Sequence, residues 1–219
     1  MRAMLLAAGR GERLRPLTDA VPKPLLLAGG QPLIVWQLQR LAACGVREVV
    51  INGSWLAEQL PAALGTGERW GLSIRYSVEP YPALETGGGI FQALPLLGAE
   101  PFLLVNADIY TDIDYAALRL PAGALAQLVL VPNPEHHPRG DFDLHGERLT
   151  YAGVALIDPQ LFAGCEAGRF ALAPLLFKAR DEGRLGLQSH SGYWLDVGTP
   201  QRLAQLDAYL QLCQHPAHD

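Results

Sequence analysis

Residues 6–18 read Leu6-Ala7-Ala8-Gly9-Arg10-Gly11-Glu12-Arg13-Leu14-Arg15-Pro16-Leu17-Thr18, directly after a short apolar run from Arg2 to Ala7. A run of that kind, stopped by glycine, reads as a buried strand. The residues after it are mostly small or cationic. Small residues and glycines let backbone N–H groups approach a phosphate chain closely. Arg13 and Arg15 add charged donors suited to phosphate oxygens. The run lacks the Gly-Lys-Ser/Thr ending of a P-loop. It also lacks the third glycine of the dinucleotide fingerprint, because Arg13-Leu14 stand where that glycine would fall. On these residues alone an ordinary tight turn remains open.

Working outward, Val21-Pro22-Lys23-Pro24 holds one of only two lysines, Lys23 and Lys178, in a chain with fifteen arginines. Lys23 is either a point charge kept for a purpose or a solvated loop residue. Pro32 to Ala43 has helical spacing and stops at Gly45; Glu48 to Asn52 reads as a buried strand. Ser54 is placed to cap a helix through Leu56, Leu60 and Leu64. Leu72 to Val78 alternates as a strand, a loop runs from Glu79 to Gly89, and a helix is predicted near Ile90 to Leu97. Pro101 to Asn106 is a fourth strand. This alternation predicts an α/β fold with a doubly wound, mostly parallel sheet. In the second half, Leu125 to Val131, Leu149 to Ile157 and Tyr193 to Val197 read as strands. Leu172 to Arg180 and Pro200 to Leu212 read as helices. The polar stretch from Pro132 to Gly146 reads as a loop or hairpin. With no repeat or linker, one domain over 1–219 is expected.

Composition narrows the function. Net charge is −5, without a basic block, which argues against nucleic-acid binding. No stretch of about 20 apolar residues lacks breakers, which argues against a membrane span. The apolar run Ala3 to Ala8 is too short for a signal sequence, so a cytoplasmic protein is expected. Cys44, Cys165 and Cys213 are far apart and lack metal-ligand spacing; reduced, partly buried thiols are expected. No His-x-x-x-His pair supports a zinc site, and His136-His137 sits in a loop-like stretch.

Leu-Ala-Ala-Gly-x-Gly-x-Arg-Leu-x-Pro-Leu-Thr, followed by Pro-Lys-Pro-Leu, resembles the signature of the sugar-1-phosphate nucleotidyltransferases. The resemblance implies a Rossmann-like fold of the nucleotidyltransferase type, with a nucleotide-binding half over 1–110. A sugar-binding half over 111–219 would carry a small sugar-covering insertion and a closing helix. It also implies that Ala8, Gly9, Gly11 and Arg13 hold a nucleoside triphosphate and that Lys23 contacts the reacting phosphates.

Two distant aspartates extend the resemblance. Asp108 follows Asn106-Ala107 at the end of the fourth strand, where open α/β sheets bind ligands. Asp112 looks available to cap the next helix. Asp196 lies in Tyr193-Trp194-Leu195-Asp196-Val197-Gly198-Thr199-Pro200, similar to the family's Trp-x-Asp-x-Gly-Thr-Pro, and Thr199 could cap the last helix. The resemblance implies that Asp108 and Asp196 bind Mg2+ between the two substrates' phosphates. Carboxylate oxygens suit that ion. Asn106, Gly153 and the region of Asp141 would face the sugar.

The segment Glu79-Pro80-Tyr81-Pro82-Ala83-Leu84-Glu85-Thr86-Gly87-Gly88-Gly89 resembles the family's base-contacting loop. Glu79 could accept a base N–H, and Gly87 and Gly88 could let a planar base approach the backbone. Glu85 departs from the glycine common in thymidylyl and glucose-uridylyl branches. The Glu-Thr-Gly-Gly-Gly run and short chain look most like the branch that uses UTP and N-acetylmuramic acid α-1-phosphate in cell-wall sugar recycling. Arg169 or Arg139 is a candidate for meeting the lactyl carboxylate. Expected partners are therefore UTP and a sugar 1-phosphate, with neither nucleic acid nor membrane, in a monomer or small homo-oligomer. The catalytic set would be Arg13, Lys23, Asp108 and Asp196.

Three other readings differ in substrate or class. Glucose 1-phosphate with UTP or dTTP would use the same chemistry. A non-catalytic nucleotide-sugar sensor would be free to lose Asp108, Asp196 or Lys23, and all are present. An NAD-dependent oxidoreductase would want an acidic residue after the second strand, where Asn52-Gly53 stands.

Overall fold

The structure, a computed structural model, describes residues 1–214. In chain order its elements are β1 (Arg2–Leu6), α1 (Leu17–Ala20), β2 (Leu27–Ala28), β3 (Gln31–Pro32), α2 (Leu33–Ala43), β4 (Glu48–Gly53), α3 (Gln59–Leu64), β5 (Ser73–Val78) and α4 (Glu85–Leu97). The second half adds β6 (Phe102–Asn106), β7 (Ile109–Thr111), β8 (Ala126–Val131), β9 (Phe142–Leu144), β10 (Glu147–Ile157), α5 (Ala173–Asp181), β11 (Leu185–Ser189), β12 (Trp194–Asp196) and α6 (Pro200–Gln214).

The first half of the chain forms the parallel run β6-β1-β4-β5, with Ala3 opposite both Val49 and Leu103. Beyond β6 the sheet turns mixed. β10 runs antiparallel to both β6 and β8, β9 hangs from β10 as a hairpin, and β11 closes the edge parallel to β8. The sheet is mostly parallel, as the alternating pattern suggested, and β10 with its hairpin partner is the antiparallel exception. The segment between β8 and β10 contains a hairpin instead of the crossover helix that parallel neighbours need. β7 and β11 were not anticipated. β7 pairs with β12 in a separate two-stranded ribbon.

Side-chain alternation explains the layers. Ala3 and Leu5, Leu103 and Val105, and Val154 and Leu156 face one side, where α2 and α3 deliver Ile34, Leu38, Leu41 and Leu60. Met4, Leu104 and Ala155 face the other, against Ile90, Ala93 and Leu97 of α4 and Leu176 of α5. Strands buried on both faces are apolar at nearly every position. A third cluster seats α6, through Leu206 and Leu210, on Leu14, Leu26, Leu33 and Val197.

Local readings differ in four places. The Ser54 hydroxyl donates to the Pro80 carbonyl at 2.7 Å, and α3 starts only at Gln59. Asp112 faces His190, while Asp114 caps the following turn by accepting from the Ala116 N–H at 2.9 Å. Cys213 is exposed, unlike the half-buried Cys44 and Cys165. Finally, α4 begins at Glu85, so Gly87 to Gly89 lie inside the helix. Each helical glycine costs about 1 kcal/mol relative to alanine, and packing explains why they stay. A Cβ on Gly87 would sit 2.5 Å from the Phe170 ring, one on Gly88 would collide with the Gly168 carbonyl, and one on Gly89 with the Glu79 carboxylate. Thr199 does cap α6, accepting from the Arg202 N–H at 3.3 Å.

Candidate active site

The carboxyl ends of β1 and β6 open into a cavity of about 680 Å³ lined by Ala8, Gly9, Gly11, Arg13, Lys23, Glu79, Asn106 and Asp108, among others. A second hollow, of about 340 Å³, shares Arg13, Asn106 and Asp108 with it and adds Gly153, Trp194 and Asp196. The two are joined at a seam.

The loop after β1 builds the first wall. Gly11 adopts φ +68°, a left-handed conformation open to glycine, and its carbonyl accepts from the Thr18 hydroxyl at 2.9 Å. Arg10 and Arg15 both turn to Asp19, at 2.6 and 2.8 Å, and Arg10 also lies over the Trp55 ring. The Arg10 hydrogen bond, with Arg15 beside it, holds the Asp19 carboxyl below its usual range. Arg15 is therefore part of the scaffold and does not line the cavity. Arg13 does line it, and makes no hydrogen bond or ion pair among the described residues.

Asn52 and Glu79 brace the opposite wall. The Ala7 N–H donates to Asn52 Oδ1 at 2.7 Å, Asn52 Nδ2 donates to Glu79 Oε1 at 2.6 Å, and the Leu84 N–H donates to Glu79 Oε2 at 2.8 Å. Glu79 is 4% exposed, so its carboxylate first ties β1, β4 and the α4 entrance together. A carboxylate oxygen can accept more than one hydrogen bond, and Glu79 also lines the cavity. Gly87 and Gly88 do not line either space; Ala83, Glu85 and Thr86 do.

Asp108 and Asp196 both line the smaller hollow, and Asp108 lines the larger cavity as well. Asp196 pairs in register with Ile109, and the Val197 N–H donates to the Asp108 carbonyl at 2.7 Å. Gln37, buried in α2, donates to the Ile109 carbonyl at 2.6 Å and accepts from the Tyr115 hydroxyl at 2.7 Å, which fixes the ribbon beneath the carboxylates. Lys23 Nζ is ion-paired to Asp108 Oδ2. Asp196 Oδ1 receives Arg202 Nη1 at 2.5 Å and lies 3.1 Å from His136 Nε2.

Among the described residues no three His, Cys, Asp or Glu side chains converge as a self-sufficient metal centre. Two carboxylates lining one hollow are a different donor set. They suit Mg2+, which keeps waters and takes its remaining oxygens from substrate phosphates.

Around the second hollow, Gly153 adopts φ +74° where the β8–β10 register slips, and a Cβ there would sit 2.6 Å from Asn106 Nδ2. The bulge lets β10 pass close to Asn106. Trp194 Nε1 donates to the Ala152 carbonyl at 2.8 Å, which sets the indole against the same wall. Asp141 does not reach the hollow. Its carboxylate accepts from the Tyr151 N–H at 2.8 Å and lies 2.9 Å from His137 Nε2, and His137 is the residue that lines the space. Arg139 is exposed, and Arg169 pairs with Glu85 at 3.1 Å; neither lines the hollow. Sequence reasoning missed Arg202, His136 and His137. The adjacent histidines were visible, but a loop of prolines and histidines gives no spacing from which to place them.

Known proteins bear on this geometry in three ways. The chain superimposes on a crystal structure assigned to glucose-1-phosphate thymidylyltransferase from Bacillus anthracis with a TM-score of 0.84 over 96% of each chain, at 20% identity, a likeness of fold alone. It is 51% identical to N-acetylmuramate alpha-1-phosphate uridylyltransferase of Neisseria meningitidis, over 95% of this chain and 97% of that one. It is 35% identical to the Caulobacter vibrioides protein of the same name, over 95% and 96%. The nucleotidyl transferase family model matches residues 2–142, from β1 through the phosphate loop and Asp108 to the start of β9. With that match spanning the phosphate loop, and relatives aligned over nearly their whole length, the chain belongs to the nucleotidyl transferase family.

Proposed function

We propose that this enzyme transfers UMP from UTP to N-acetylmuramic acid α-1-phosphate, giving UDP-N-acetylmuramic acid and pyrophosphate. The observation that carries the reading is the seam, where Asp108 and Arg13 belong to both spaces and Asp196 faces the smaller one. A triphosphate along the Gly9–Arg13 loop and a sugar phosphate beside Asn106 would meet there. The resemblance to the two named uridylyltransferases supports this choice of substrates.

In the proposed reaction an oxygen of the sugar phosphate bonds to the α-phosphorus of UTP while the α–β bridging bond breaks. Its electron pair leaves on pyrophosphate. A phosphate monoester has a second pKa near ~6 and is largely dianionic at neutral pH, so the attacking oxygen needs no general base. The work is alignment and charge neutralisation. Arg13 holds the departing phosphates and Lys23 offsets charge on the transferred phosphoryl. Asn106, and Asp141 through His137, orient the sugar. Glu79 offers its remaining lone pairs to the base N–H. Asp108 and Asp196 would hold Mg2+, which bound there supplies charge neutralisation across both phosphates. Three free cysteines suit a reducing cytoplasm, and no helix among the described residues is long and apolar enough to cross a membrane. A place in cell-wall sugar recycling follows from the product.

Pyrophosphate release with UTP, dTTP, GTP and CTP, each against N-acetylmuramic acid, N-acetylglucosamine, glucose and mannose 1-phosphates, tests this. UTP with the muramic acid derivative should give the highest kcat/KM, and EDTA should abolish turnover. A preference for another sugar phosphate overturns the substrate assignment.

A further inference from the structure

Both carboxylates at the seam are already occupied by cations of this chain. Lys23 neutralises Asp108 and Arg202 neutralises Asp196, and the lysine and arginine side chains are each only 12% exposed. Arg202 has no counterpart in the sequence signature and lies outside the residues that the family model matches. It sits in the first turn of α6, behind the Thr199 cap, and its Nη1 also lies 2.6 Å from His136 Nε2. Its other nitrogen stands over Gly198. A Cβ on that glycine would collide with Arg202 Nη2 and come within 3.0 Å of Arg13 Nη2. Two guanidinium groups therefore share the space above one glycine that lines the larger cavity. Asp196 is the one carboxylate that Arg202 contacts among the described residues. Like charges brought together in a partly enclosed place repel, and an incoming anion relieves that repulsion.

We infer that Arg202 exchanges partners during binding. It pairs with Asp196 while the site is empty, and turns to the phosphate of the sugar substrate when a divalent cation takes the carboxylate. The inference rests on the proposed seating of the metal on Asp108 and Asp196. It makes Arg202 both a competitor of the metal and a ligand of the second substrate. Metal alone then binds weakly, because it must displace a guanidinium that has no second carboxylate to turn to among the described residues. Metal arriving with phosphates binds well, since the displaced cation finds an anion waiting. Gly198 is part of the device: any side chain there would fill the path between the two guanidinium groups.

The test uses Arg202→Gln, which keeps a polar side chain without charge, and Arg202→Lys, which keeps the charge, with thermal melts to establish that both fold. Mn2+ binding to the protein without nucleotide is followed by the electron paramagnetic resonance of the free ion. Arg202→Gln should bind Mn2+ at least about threefold more tightly than the unmodified protein, and Arg202→Lys close to it. In steady state, Arg202→Gln should raise KM for the sugar 1-phosphate at least about tenfold and leave KM for UTP within about twofold. A residue that merely props Asp196 would move Mn2+ affinity the other way. Unchanged or weaker Mn2+ binding in Arg202→Gln overturns the exchange, as does an unchanged KM for the sugar phosphate. Asp196→Asn separates the two failures. If it leaves Mn2+ binding intact, the carboxylate seat is wrong. If it abolishes binding while Arg202→Gln has no effect, the seat stands and the exchange falls.

Discussion

The larger cavity and the smaller hollow are built by opposite means. One wall of the first comes from a contiguous stretch, 8–13, with Lys23 ten residues further on. The second draws on five separated segments, which bring Arg13, Asn106, His137, Thr150 to Gly153 and, from β12, Trp194 with Asp196 to one place. A contiguous wall is specified by local backbone choices such as the left-handed Gly11. An assembled wall depends on strand pairing, one bulge and a capped helix all being right at once.

If the two walls act on one shared seam, removing a charge from either should be equally ruinous. Asp196→Asn and Lys23→Met should each cut kcat by about 10³-fold or more while far-UV circular dichroism stays unchanged. The double variant should be little worse than the poorer single, because residues acting as a unit are strongly non-additive. Multiplicative losses would mean that the walls contribute independently.

This contrast also sets how much was legible in the sequence. The strands of the first half, the glycine- and arginine-rich loop after β1, Lys23 and both aspartates carry local patterns, and the loop, Lys23 and the aspartates line the two spaces. The antiparallel β10 was not foreseen, because an apolar run looks alike in either direction. Glu79 was read as a base acceptor from its place in the loop, and its second task, bridging Asn52 to the Leu84 N–H, exists only after folding. The glycine run was legible as unusual and misread as open space; Phe170 and Gly168, far along the chain, fill it. Arg202 gave no signal, since an arginine in a helix's first turn is ordinary until its neighbours are known.

A smaller effect sharpens the comparison where the halves are zipped together. The Gly88 N–H donates to the Phe170 carbonyl at 3.0 Å, and the Phe170 N–H donates to the Leu84 carbonyl at 3.1 Å. Gly87→Ala should destabilise by about 1–3 kcal/mol despite alanine's better helix propensity, because overpacking outweighs it. Urea denaturation measures this, and a stabilised variant would mean that the glycine run serves the ligand after all.

The smallest effect is expected at Tyr151. Its hydroxyl is buried without a partner among the described residues, and burial pushes its ionisation well above the ordinary tyrosine range. Tyr151→Phe should leave stability unchanged or raise it by up to about 1 kcal/mol, since it removes an unsatisfied polar group. Unaltered kcat/KM would assign the ring to packing alone; a large loss would bring the hydroxyl into the hollow's chemistry.

The β7–β12 ribbon has a consequence for how such a site tolerates change. Asp108 and Asp196 are nearly ninety positions apart along the chain, yet their backbones are tied by the ladder, with Asp196 opposite Ile109 and the Val197 N–H on the Asp108 carbonyl. The length of the intervening polypeptide is thus decoupled from the gap between the two acids. Register, not loop length, is what the site cannot spare: a slip of a single rung would turn Asp196 to the far face.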